Sequence, residues 1–224
     1  MDSNTRAPLL NDFYHQYLLD RDANALGNRV LQRYSVGTLE RLSADGQRMT
    51  RRAAALALGL VGNYESNAAL GRAMIDEDRG VRTIAENGIR ALWCRDGSPK
   101  QRRHLYRVIQ LNSAQRFDEA IRQATLLIAE TAALAESWNQ RAVAYFSTGR
   151  YRESIRDCEQ ALELNPYHFG AASGMGQCHL QLNDRGVALE CFRRALSLNP
   201  GLEGVRAHVL YLQRTIKSED TGQE

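Results

Sequence analysis

Arg116-Phe-Asp-Glu-Ala-Ile121, Arg150-Tyr-Arg-Glu-Ser-Ile155 and Asp184-Arg-Gly-Val-Ala-Leu189 recur at a spacing of 34 residues. Leu-Asn-Pro occurs twice at the same spacing, ending at Pro166 and Pro200. Self-similarity at a fixed period of this length signals stacked supersecondary units, none of which buries its apolar face alone. Ala120, Ser154 and Ala188 are the small residues needed where one helix crosses closely over another. Leu162 and Leu164, then Leu196 and Leu198, finish helices that the Asn-Pro pair stops, because the residue before proline avoids the α-helical region. Gly149 opens the turn between two helices of the middle unit.

Working outward, Trp138, Tyr145, Ser154, Cys158, Ala161 and Pro166 keep the offsets of a tetratricopeptide signature. Gly176, Ala188, Phe192, Ala195 and Pro200 repeat it. Residues 101–200 therefore resemble the tetratricopeptide repeat family. The first unit is degenerate, with Phe117 and Ala120 in place but Ala132 where the others carry proline. Val205, Val209, Leu212 and Ile216 then form one stripe over Leu202–Lys217, as expected of a capping helix. A polar tail is expected over 218–224.

The N-terminal part repeats on a different period. Thr50-Arg51, Ala54 and Leu58 align with Val81-Arg82, Ala85 and Ile89 at a spacing of 31. Leu39, Asp45 and Arg48 match Leu70, Asp76 and Arg79 at that spacing. With Ala57-Leu-Gly-Leu-Val-Gly62 and Asp76-Glu-Asp-Arg-Gly-Val-Arg82, residues 20–95 resemble HEAT repeats of the phycobilisome-lyase type. Asn11 is a candidate cap for an opening helix holding Phe13, Tyr14, Tyr17 and Leu18. Arg95-Asp-Gly-Ser-Pro99 reads as the boundary. The expectation is an all-α, right-handed solenoid of antiparallel pairs, about eleven or twelve helices. HEAT-like repeats fill 1–95; about three tetratricopeptide repeats and a capping helix fill 101–217.

Composition narrows the chemistry. Lys100 and Lys217 are the only lysines among 29 basic residues, and neither sits in a Gly-Lys-Ser/Thr string, so a P-loop is excluded. Cys94, Cys158, Cys178 and Cys191 form no Cys-x-x-Cys pair, and His15, His104, His168, His179 and His208 form no His-Glu-x-x-His motif. Gly170, Gly174 and Gly176 fit close helix packing better than a phosphate loop, since no strand precedes them. His179, Cys158 and Cys191 read as packing residues. No cofactor or metal is expected and no enzymatic activity. The N-terminus, with Asp2, Arg6 and Asp12, lacks a signal-peptide core, and no apolar stretch suits a membrane span, so a cytoplasmic protein is expected.

Asp76, Glu77 and Asp78 read as an inter-helix turn near the next helix's N-terminus, where carboxylates are favoured. Arg48, Arg51 and Arg52 form one basic cluster, and Arg95, Lys100, Arg102, Arg103 and Arg107 another. An Asp–Arg ladder, Asp45 with Arg48 or Asp76 with Arg82, is the favoured use of the first. Nucleic-acid or acidic-partner binding through the clusters is the alternative. The HEAT-like resemblance would also admit a bilin-lyase role, against which the scattered histidines argue.

In tetratricopeptide folds the first helix of each pair lines the concave face. That resemblance places Leu105, Ile109 and Asn112, then Asn139, Val143 and Phe146, then Ser173, Gln177 and Leu180 in a groove. Apolar and amide side chains suit a protein or peptide partner, with Asn139 and Phe146 as anchors and Arg102 and Arg103 at the rim. The carboxylate clamp that some family members use for chaperone tails needs cations where this chain has Leu105, Ile109, Gly170 and Gly174. A protein-interaction scaffold is the reading that results.

Overall fold

The computed structural model of the chain describes residues 8–221. Residues 1–7, including Asp2 and Arg6, and residues 222–224 of the expected tail lie outside the described residues. The chain divides into two compact units, one ending at Trp93 and one beginning at Cys94. Among the described residues all regular structure is helical.

The N-terminal unit contains α1 (Leu9–Asp20), α2 (Ala23–Arg33), α3 (Val36–Asp45), α4 (Arg48–Val61), α5 (Asn67–Ala73) and all but the last two residues of α6 (Arg79–Arg95). A 3-10 turn at Tyr64–Ser66 precedes α5. The starts of α3 and α5, and of α4 and α6, keep the 31-residue spacing of the sequence. Leu39 and Leu70, Ala54 and Ala85, and Leu58 and Ile89 occupy matching, fully buried positions. Helices α4 and α6 cross at Gly59 and Gly88, where a Cβ on Gly59 would lie 2.7 Å from the Gly88 Cα. Trp93 Nε1 donates to Asn67 Oδ1 at 2.7 Å and satisfies both buried groups.

Asn11 does not cap the opening helix. The helix starts two residues earlier, behind Pro8, and Asn11 lies buried inside it with its N–H donating to the Pro8 carbonyl at 2.9 Å. Proline fixes φ near the helical value and so sets that start. Arg21 then takes a left-handed conformation (φ 58°) and Asp22 caps a separate helix by accepting from the Ala25 N–H at 2.9 Å. This additional break helps bring the number of α-helices among the described residues to thirteen.

The C-terminal unit contains α7 (Pro99–Ser113), α8 (Phe117–Glu130), α9 (Ala135–Ser147), α10 (Tyr151–Leu164), α11 (Phe169–Gln181), α12 (Arg185–Leu198) and α13 (Glu203–Thr221). Consecutive helices pack, and the first helices α7 and α9, and α9 and α11, also touch. The starts of α8, α10 and α12 fall 34 apart, as do those of α9, α11 and α13. Ala120, Ser154 and Ala188 are buried at equivalent crossings, and Ser154 Oγ donates to the Ala142 carbonyl at 2.8 Å. Gly176 is required by contact, because a Cβ there would lie 2.6 Å from the Phe192 ring.

Helix α13 covers the end of the stack with Val205, Val209 and Leu212 buried against α12, while His208 stacks on Phe192 with ring centres 5.1 Å apart. It continues through Ser218 to Thr221, so the first four residues of the expected tail are helical. Ser98 and Gln101 form a reciprocal capping box around Pro99, which starts α7.

Candidate functional site

The first helices of the second and third units place Asn139, Val143 and Phe146 from α9 opposite Ser173 and Gln177 from α11. These line one cavity of about 210 Å³, floored by Ala142, Ser154, Cys158, Gly170 and Gly174. No charged side chain lines it. The space exists because Gly170 and Gly174 carry no side chain on the facing helix turn. A Cβ at Gly174 would approach Cys158 Sγ to 3.3 Å, and one at Gly170 would lie 3.9 Å from Asn139 Oδ1. Burial pushes the Cys158 thiol well above its ordinary range, so it is a packing group here and not a nucleophile.

The remaining sequence-derived positions lie elsewhere. Leu105 is fully buried with Leu127 and Leu134, and Ile109 packs against that cluster. Leu180 packs into the core under α12 and α13. These aliphatic side chains turn inward because α7 and α11 each need an apolar stripe against their partner helices. Asn112 donates from Nδ2 to the Gln140 carbonyl and to Gln140 Oε1, both at 2.9 Å. Arg102 donates to the carbonyls of Arg95 and Gly97 at 3.2 Å, folding back over the start of α7, and both Arg102 and Arg103 are exposed.

Beneath the cavity lies a polar network that sequence reasoning missed. Glu136 Oε2 accepts from His168 Nε2 at 2.9 Å; Oε1 accepts from Gln140 Nε2 at 2.7 Å and Asn139 Nδ2 at 3.3 Å. His168 Nδ1 accepts the Ala171 N–H at 3.0 Å and so caps α11. That acceptor role leaves the proton on Nε2, which faces the carboxylate. Burial alone would raise the Glu136 carboxyl. The bonds from His168, Gln140 and Asn139 more than offset this and hold it below its ordinary value. The sequence signal was a histidine two residues after Pro166, at the position before α11.

Arg141 forms the other buried bridge. Its guanidinium meets Asp157 through two bonds of 2.7 and 2.8 Å, donates to Thr125 Oγ1 at 3.0 Å, and lies 5.0 Å from the Trp138 ring centre. It ties α9 to α8 and α10, a structural use of arginine's planar fork.

In the N-terminal unit the first basic cluster is largely neutralised. Arg51 pairs bidentately with Asp76 at 2.7 and 3.0 Å and reaches Glu77 at 3.0 Å; Arg52 pairs bidentately with Asp78, both bonds 2.7 Å. Carboxylate–arginine pairs do form here, but not the expected ones: among the described residues no ion pair joins Asp45 to Arg48, and Asp76 pairs with Arg51 and not Arg82. Arg82 instead donates to the backbone carbonyls of Asp76 and Glu77. Arg51 reaches from α4 to the turn between α5 and α6 and places two fork bonds on Asp76, which the local Arg82 cannot do while satisfying the turn's carbonyls. Asp78 caps α6 by accepting from the Val81 N–H at 2.9 Å.

Comparison with known proteins bears on the C-terminal unit. Residues 135–168 and 170–202 match the tetratricopeptide repeat models. A TPR repeat-containing protein of Rhizobium etli is 41% identical over 66 residues, covering 30% of this chain and 32% of that protein. An Hsp70-Hsp90 organizing protein of Triticum aestivum is 34% identical over 95 residues, covering 42% of this chain and 16% of its own length. The chain thus spans a third or less of these relatives. Among solved structures, the first TPR of Spaghetti bound to an HSP90 peptide superposes with TM-score 0.52 at 21% identity, covering 54% of this chain and 96% of that one. The Sgt2 TPR domain of Aspergillus fumigatus gives 0.53 at 20% identity, covering 57% and 85%. No described helix is long and apolar enough to cross a membrane. Residues 135–168 and 170–202 are thus similar to tetratricopeptide repeats, and the helix pairs are those of an α-solenoid.

Proposed function

We propose that the chain is a non-enzymatic interaction scaffold whose C-terminal unit holds a peptide or protein segment against α9 and α11. The observation that carries this reading is the cavity itself, which gathers Asn139, Val143, Phe146, Ser173 and Gln177 between two first helices. Val143, 42% exposed, leaves apolar surface uncovered there. A groove held open by packed helices limits the ordering cost of binding, so a few central contacts supply most of the affinity. The neighbouring solved domain that binds an HSP90 peptide agrees with a peptide partner in kind. The clamp positions here carry no cation, with Leu105 buried and glycine at 170 and 174. Arg103, exposed on α7 without the backbone bonds that Arg102 makes, is the rim charge assigned to the partner.

In the N-terminal unit, the 31-residue repeat of helix starts and the Arg51–Asp76 and Arg52–Asp78 pairs support a HEAT-like architecture. With Arg51 and Arg52 already paired, nucleic-acid binding through that cluster is disfavoured.

Affinity capture with wild-type protein and with Asn139→Ala/Phe146→Ala tests the reading. The double variant is expected to keep its thermal transition within a few degrees, since both side chains are only partly buried, and to lose its specific partners. A folded double variant that retains every partner refutes it.

A further inference from the structure

The Asn139 amide has its orientation fixed from below. A carboxylate only accepts, so Nδ2 must face Glu136 Oε1, at 3.3 Å, and Oδ1 must face away from it. The His168 and Gln140 bonds hold that carboxylate in place, and Gln140 is itself tied to Asn112 of α7. Oδ1 is thereby turned toward α11, 3.9 Å from where a Gly170 Cβ would stand. The groove therefore presents a built acceptor beside an uncharged cavity.

The cavity's size and lining limit its occupant. At about 210 Å³ it is smaller than the pockets of roughly 300–1,000 Å³ that hold drug-sized ligands. An apolar cavity of about 150 Å³ accommodates benzene, so one large side chain fits. Val143, Phe146 and Ala142 offer apolar wall, and burying an unpaired charge against them would cost several kcal/mol in order of magnitude. A terminal carboxylate has no cation to meet among the lining residues.

Resting on the groove reading above, we propose that this cavity is a socket for one uncharged apolar side chain, leucine, methionine or phenylalanine, from the interior of an extended peptide. Asn139 Oδ1 accepts a backbone N–H flanking that residue. Glu136 and His168 act as positioning residues, because they touch Asn139 and the start of α11 and not the peptide. Recognition is then independent of a free C-terminus.

A random heptapeptide display library selected on the whole protein, followed by synthetic fluorescent peptides as free acids and as amides, tests this. Expected are selected sequences that share Leu, Met or Phe at one internal position. Binding should change less than about twofold on amidation and weaken about tenfold or more with Asp or Lys at that position. One N-methylated backbone position should also lose binding, and that discrimination should vanish in Asn139→Leu while the anchor preference persists. Gly170→Leu, whose Cβ meets no backbone, should fill the socket and weaken binding by about tenfold. A charged anchor, a requirement for the free carboxylate, or unchanged selection by folded Gly170→Leu overturns the socket. The amidation and N-methyl readouts use unaltered protein and stand even where a variant misfolds. Recovery of no peptide that distinguishes wild type from Asn139→Ala/Phe146→Ala instead refutes the groove reading.

Discussion

Glycine at positions 176 and 170 of α11 has different causes. At Gly176 an added Cβ would sit 2.6 Å from the Phe192 ring, which is fully buried and stacked on His208. Gly176→Ala should therefore destabilise by about 1–3 kcal/mol through overpacking. Gly170 has helical backbone and its nearest prospective neighbour is His168 at 3.4 Å, so Gly170→Ala should stabilise by about 0.5–1 kcal/mol through lower unfolded-chain entropy. Urea unfolding midpoints should move in opposite directions. A second test at this scale concerns Asp78, whose carboxyl the Arg52 guanidinium holds at about 2, below the ordinary 3.8. A depressed folded-state value stabilises fully above the unfolded value and loses that contribution as pH falls from about 3.8 to about 2. The amount is about 2 kcal/mol. Asp78→Asn should lower stability at neutral pH and flatten its decline over that acid window, measured by denaturant melts at stepped pH.

At the scale of the element, the 34-residue period was legible because each turn repeats a backbone requirement. Gln115, Gly149 and Asn183 are all left-handed (φ 57°, 74° and 64°), and each is followed by a backbone bond back to the preceding helix: Arg116 to Leu111, Arg150 to Tyr145, Asp184 to His179. Glycine takes that conformation without strain; a glutamine does so at a cost of about 1 kcal/mol. Gln115→Gly should raise the thermal midpoint and Gly149→Gln should lower it by similar energies. Helix ends were legible only in part. Asn165 and Asn199 leave the helix in extended geometry before proline, with their side chains accepting from the N–H groups of Tyr167 and Gly201. Thr131 adopts the same extended backbone (φ −155°, ψ 104°) with no proline after it, so proline marks this exit without being required for it. The Glu136–His168 bond stayed hidden because it joins residues 32 apart whose pairing depends on which turn of α9 faces the start of α11. The partner of Asp76 was missed for the same reason: spacing along the chain points to the nearby Arg82 and does not identify Arg51 on α4, 25 residues away.

At the scale of the molecule, each unit must be stabilised by its own neighbours. In the C-terminal unit packing runs along the chain order from α7 to α13, so the stack is close to one-dimensional and its ends are its weakest points. Helix α13 closes one end with Leu212 fully buried and Val205 and Val209 nearly so. Leu212→Ala should remove about 2–5 kcal/mol of local stability by leaving a cavity. In a nearest-neighbour stack that loss is confined first to α13 and the helix it covers, and reaches α8 and α9 only through global unfolding. Native-state hydrogen exchange should show amides of α12 and α13 losing protection in Leu212→Ala while those of α8 and α9 retain theirs at low denaturant. A uniform loss across the unit would mean that the repeats unfold as a single cooperative block. Phe192 makes this a demanding test, because it stacks on His208 of α13 and also packs over Gly176 of α11, carrying any disturbance of the cap one helix inward. Protection at the N-terminal half of α11, which lines the cavity, should then fall next, so cap stability and the integrity of the groove are expected to decline in that order.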